Sequence, residues 1–186
     1  MTHEDEKRIP SAFAIVGGSG SGKTTLIERL IPELAKRGFK VGAVKHDAHE
    51  FEIDHPGKDS YRHKAAGAAA SLIVSATKLA LVADVEGLPP VESIIYSYLA
   101  HCDIVLVEGY HLSGLPKVWV RRRGVRDDHI RPDKLLAIVA DEPCHSGVPC
   151  FSHGATAGIA KLIVERMAPV HRPPQQVFRL PAPRPS

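Results

Sequence analysis

Cysteine is scarce in this chain of 186 residues: Cys102, Cys144 and Cys150 are all it has, unevenly spaced and without a C-x-x-C pair. That argues against a disulfide framework and a zinc knuckle, and leaves reduced, mostly buried thiols as the expectation. Long apolar runs are missing too. None approaches the length that spans a bilayer, and the polar opening at 1–10 has no signal-peptide character. A soluble cytoplasmic protein with no membrane partner is expected. Excess charge of one sign is small, +3, with basic residues scattered except for Arg121, Arg122 and Arg123, which argues against nucleic acid as a partner. No internal repeat is visible.

What is present fits one ordinary globular domain: 44% hydrophobic and 24% charged residues, in a chain long enough for one core but hardly two. The apolar pattern alternates. A short run at 12–16 ends in glycines, and 24–37 then carries Leu26, Ile27, Leu30, Ile31 and Leu34 at helical spacing. Pro32 predicts a kink or local break in that helix, and Gly38 its stop. Strands are expected at 40–44, 71–75, 79–83, 104–107, 118–120 and 135–139, and helices at 61–70, 91–100 and 159–167. Alternating strands and helices specify an α/β fold, a mostly parallel sheet with helices on both faces, whose binding crevice lies outside the carboxyl ends of the strands. The expected organisation is a polar segment at 1–10, a nucleotide-binding domain at 11–168 and a proline-rich, disordered tail at 169–186.

The strongest chemical signal follows the first strand. Gly17, Gly18, Ser19, Gly20, Ser21, Gly22, Lys23 and Thr24 match G-x-x-x-x-G-K-[ST], with the strand before and helix after that this P-loop motif requires. Small residues let the backbone amides wrap a β-phosphate, and the helix adds the positive end of its dipole. Lys23 is then the catalytic cation reaching the β- and γ-phosphates. Thr24 offers its hydroxyl to Mg²⁺, and Thr25 beside it counts among the nucleotide-contacting residues. A P-loop also needs an acid at the end of a buried strand; Glu108, closing the run 104–107, fills that role on the metal side. Asp103, at the other end of the same strand, reads as structural.

A further set of residues carries a family likeness. Lys45-His46-Asp47-Ala48-His49, Asp54, the segment from Pro56 to Arg62, Ala66-Gly67-Ala68, Val107-Glu108-Gly109-Tyr110 and Pro116-Lys117 resemble molybdopterin-guanine dinucleotide biosynthesis protein B, over roughly 13–167. The resemblance implies a P-loop GTP-binding protein, a homodimer with feeble hydrolysis, that uses GTP and Mg²⁺. It also implies a role beside the guanylyltransferase that joins GMP to molybdopterin, with molybdopterin or its guanine dinucleotide as a second ligand. On that likeness Lys45, His46 and His49 line the crevice and face phosphate groups, while Asp59 and Ser60 approach the metal side. A zinc site from His46 and His49 has the spacing but no cysteine to join it. The chain contains no asparagine, so the common N-K-x-D guanine reader is excluded. Asp141, after the strand 135–139, matches an acid of the family pattern and either reads the base or is a turn aspartate ahead of Pro143. Arg122 matches a basic position of the same pattern; an arginine reaching across a dimer to the phosphates and a solvated basic edge are its two readings. His111 departs from the pattern, which often has lysine there.

Two other functions use the same loop. A small-molecule kinase would transfer the γ-phosphoryl group, although no arginine-rich lid is visible; a metallochaperone GTPase would draw on the eleven histidines but lacks paired cysteines.

Overall fold

The computed structural model describes residues 9–47, 53–127, 130 and 132–167. They fall into two compact units, the first built from residues up to His46 and from Val91 onward, the second from 47–90.

In the first unit six strands form one parallel sheet in the order β2-β5-β1-β6-β7-β8. They are β1 (Ser11–Val16), β2 (Val41–Lys45), β5 (Ile104–Glu108), β6 (Lys117–Val120), β7 (Leu135–Val139) and β8 (Cys150–Phe151). The unbroken apolar runs follow from that topology, since a central parallel strand is covered on both faces. Ile104 and Leu106 join Phe13, Ile15, Leu30, Leu34, Ile159 and Ile163 in one buried layer, under α1 (Lys23–Ala35) and α4 (Thr156–Glu165). Val105 and Val107 turn the other way, to Ala14, Val16, Val91 and Ile95, the last two from α3 (Val91–Tyr98). Period-two side-chain alternation thus divides the central strands β1 and β5 between two cores.

The second unit is smaller: α2 (Asp59–Ala65) packs on a two-stranded antiparallel sheet, β3 (Ala70–Val74) and β4 (Leu79–Ala83). Among the described residues no helix is long and apolar enough to cross a membrane.

Two expectations are corrected. α1 runs without a break through Pro32, which lies on its exposed face, where water can satisfy the carbonyl left without an amide donor. Cys144 and Cys150 are not reduced thiols but a disulfide, with Cα atoms 6.0 Å apart; Gly147, at φ 70°, turns the chain back between them, which scarcity and spacing alone cannot reveal. Cys102 is the free, half-buried thiol among the three. Burial and the neighbouring Asp103 push its pKa up. Asp103 itself caps a strand end, accepting the Lys40 amide at 2.8 Å. The proline-rich tail and the first eight residues lie outside the described residues.

Candidate functional site

β1 runs through the middle of the sheet and delivers the chain to Gly17; α1 takes it away at Lys23. Crowding dictates the first two glycines between. A methyl on Gly17 would stand 2.2 Å from the Val120 carbonyl oxygen, and one on Gly18 2.3 Å from that of Arg126. Both obstacles are backbone, so no side chain fits. Gly22, at φ 100°, occupies the left-handed region as the N-cap of α1, where glycine carries no penalty. No side chain caps this helix and no acid sits in its first turn, so its positive end stays open to an anion. Gly18 and Ser21 are buried, and Ser19, Gly20, Thr24 and Thr25 are exposed.

Lys23 Nζ donates to the Gly17 and Gly18 carbonyls at 3.1 and 2.9 Å, which folds the ammonium over the loop and leaves one of its three donors uncommitted to them. Burial lowers its pKa; Glu108 opposes that shift and Lys45 adds to it. Thr24 Oγ1 donates to both carboxylate oxygens of Glu108, at 2.9 and 3.0 Å. The sheet explains this meeting: β5 lies beside β1 with Glu108 in register with Ile15, and beside β2 with Glu108 in register with Lys45. The His46 amide donates to the Glu108 carbonyl at 2.9 Å, and its ring stands 4.9 Å from that of Tyr110. Lys45, His46, Glu108 and Tyr110 therefore gather at adjoining strand ends.

These residues suit a polyphosphate with a hard cation. At Gly17 and Gly18 the loop has no room for a side chain, Ser21 Oγ is buried with no hydrogen-bond partner among the described residues, and Thr24 with Glu108 supplies oxygen donors of the kind Mg²⁺ takes.

A second feature lies at the ends of β6 and β7, a cavity of about 420 Å³ lined by Arg121, Arg122, Arg123, Asp127, Asp141 and Glu142 among others. Asp141 Oδ2 accepts the Arg123 amide at 2.8 Å, and Oδ1 lies 3.4 Å from His153 Nε2. The Asp141 carboxylate thus both borders a cavity and braces a turn. His153 escaped sequence reasoning, because β8, which delivers it, is two residues long and shows no periodicity. Its position, just past a strand end, is the signal that would have found it. Lys117, conspicuous in the sequence as part of a motif, is 0% exposed and spends its ammonium on the Ser113 and Leu115 carbonyls and on Asp133, tying down the loop before β6.

Asp59 opens α2 in the second unit and pairs with Arg62 at 3.5 Å, while Ser60 donates to Asp54 at 3.0 Å. His49 lies outside the described residues, so any pairing with His46 does too. His111 is exposed.

Comparison with known proteins agrees with this geometry. Residues 12–141 match the family model for molybdopterin guanine dinucleotide synthesis protein B. The molybdopterin-guanine dinucleotide biosynthesis adapter protein of Escherichia coli (strain K12) is 34% identical over 170 residues, 87% of this chain and 95% of its own. Its counterpart in Haemophilus influenzae is 37% identical over 134 residues, 69% of this chain and 72% of its own. The crystal structure of Bacillus subtilis MobB superposes with a TM-score of 0.70 at 27% identity, covering 85% of this chain and 98% of that one. A P-loop at the end of a central parallel strand, its acid on the next strand, a matching family model, and similarity over 95% of one adapter protein and 72% of another lead to one assignment: this chain belongs to the molybdopterin guanine dinucleotide synthesis protein B family.

Proposed function

We propose that this protein is a GTP-binding adapter in molybdopterin guanine dinucleotide biosynthesis, a slow GTPase at most, that works beside the guanylyltransferase attaching GMP to molybdopterin. The observation that carries the reading is the Thr24 hydroxyl on the Glu108 carboxylate beside a glycine loop closed over by Lys23. On this reading the amides of 17–22 and the Lys23 ammonium hold the triphosphate, and Thr24 with Glu108 holds Mg²⁺. The ion, when bound, offsets charge on the phosphate oxygens. Lys45 and His46 present polar groups to the same anion, Asp141 reads the base, and Asp59 serves the metal side. A homodimer in the cytoplasm is the proposed working form. Family membership does not favour the small-molecule kinase or the metallochaperone alternatives.

Titration of GTP and ATP, each with and without Mg²⁺, into the purified protein tests this. GTP should bind more tightly than ATP, Mg²⁺ should strengthen it, and Lys23→Ala should abolish binding while leaving the circular dichroism unchanged. Because the Lys23 pKa is lowered and the anion needs the charged form, affinity should fall as pH rises, before the range in which an ordinary lysine deprotonates. Equal affinity for the two nucleotides would remove the guanine claim.

A further inference from the structure

Three consecutive arginines follow β6, and their side chains have different partners. Arg121 Nε donates to Asp127 Oδ2 at 3.1 Å, and its guanidinium lies 4.7 Å from the Trp119 ring centroid. Arg123 Nη1 approaches Glu142 Oε1 at 4.0 Å. The Arg122 guanidinium has no carboxylate and no hydrogen-bond acceptor among the described residues. It lies instead against the phosphate-binding loop of its own chain: a methyl on Gly22 would be 3.2 Å from Arg122 Nη2 and 3.7 Å from Cζ. His153 walls the same spot, with Nδ1 3.8 Å from that methyl position, while its Nε2 is engaged by the Arg121 carbonyl at 3.0 Å.

Arg122 is exposed, so a ligand can reach its guanidinium. Arg122 stands beside the residue preceding Lys23, at the open N-terminus of a helix whose first turn carries no acid. The acid of the site, Glu108, comes from β5, on the opposite side of β1 from β6, which carries Arg122. The loop is therefore flanked by a carboxylate suited to a cation on one side and, on the other, by a guanidinium that pairs directly with no carboxylate among the described residues. A guanidinium presents a planar fork of donors that fits phosphate oxygens two at a time, and unlike lysine it stays charged at any working pH.

We propose that Arg122 is a nucleotide-phosphate ligand acting within its own chain, on the Gly22 side of the loop. This rests on the reading of the loop as a triphosphate site. It differs from an arginine supplied across a dimer, because the guanidinium already adjoins the loop that it serves.

The test measures binding of a fluorescent GTP analogue with Mg²⁺ to the full chain and to Arg122→Ala, Arg122→Lys, Lys23→Ala and Lys161→Ala. Lys161 pairs with Glu165 on an exposed helix face, so its variant controls for loss of one positive charge. Arg122→Ala should weaken binding about tenfold, the lower end for a charge-assisted hydrogen bond, and flatten its salt dependence. Arg122→Lys should recover part of the loss, and Lys161→Ala should stay within about twofold, as a screened surface charge does. Mixing Arg122→Ala with Lys23→Ala chains separates own-chain from cross-chain action: binding restored in the mixture overturns the proposal, and no restoration supports it. Arg122→Ala binding like the parent while Lys23→Ala fails also overturns it and leaves the loop reading standing. Lys23→Ala binding like the parent overturns the loop reading instead.

Discussion

The parallel sheet of the first unit and the hairpin of the second are made from similar runs, Ile-Val-Leu-Val at 104–107 and Leu-Ile-Val at 72–74. The first run is 0% exposed throughout, whereas Leu72, Val74 and Leu79 are 56%, 64% and 66% exposed. An apolar run therefore tells that a strand forms and leaves open whether helices cover it. In β5 both faces are covered, and its last residue, Glu108, is held where Thr24 can reach it. Rigid burial gives that strand end a fixed position, as the proposed metal-side role of Glu108 requires. β3 and β4 form a two-strand sheet, an element that is marginal by itself.

That contrast makes graded predictions. Leu106→Ala removes a side chain buried between the sheet and the helices on that face and should cost about 2–5 kcal/mol, the usual range for a large-to-small core change. Urea unfolding followed through Trp119, the single tryptophan and a member of the first unit, would measure it. An unshifted midpoint would mean that β5 is not the core strand described here. Reducing the Cys144–Cys150 disulfide should lower stability of the same unit by about 2 kcal/mol, because the bridge closes a short loop. Reductant added to the parent and to Cys150→Ser should separate them in the same assay, the parent shifting and the variant not responding. Leu72→Ser should be the mildest, within about 0.5 kcal/mol, since its side chain already meets solvent. A loss as large as that of Leu106→Ala would show that the hairpin is covered in solution.

Much of this molecule could be read before it was seen, for identifiable reasons. Seven of the eight strands left a run of apolar residues, and α1, α3 and α4 left periodicity, because burial selects residue type position by position, whereas α2 buries no side chain and left only a run of small residues after it. β8 left neither, being two residues long, and with it His153 went unnoticed. The loop at 17–24 and Glu108 stood out because the P-loop motif joins residues that adjoin in sequence to an acid closing a conspicuous strand. Arg121, Arg122 and Arg123 were visible as a basic run, in which only the family likeness set Arg122 apart. Which of them turns to Asp127, which to Glu142 and which to the loop depends on carboxylates and a glycine that neighbouring strands carry there. The same is true of Cys144 and Cys150, which needed a turn at Gly147 to meet.

The sequence by itself determined that a strand, a glycine loop and a lysine-bearing helix follow one another, since backbone crowding and helix periodicity are local properties. Only the tertiary structure decided that Glu108 faces Thr24, from 84 residues away, and that Arg122 leans on Gly22. The strand order sets β5 and β6 on opposite sides of β1, and spatial neighbours of that kind leave no mark on the order of residues along a chain.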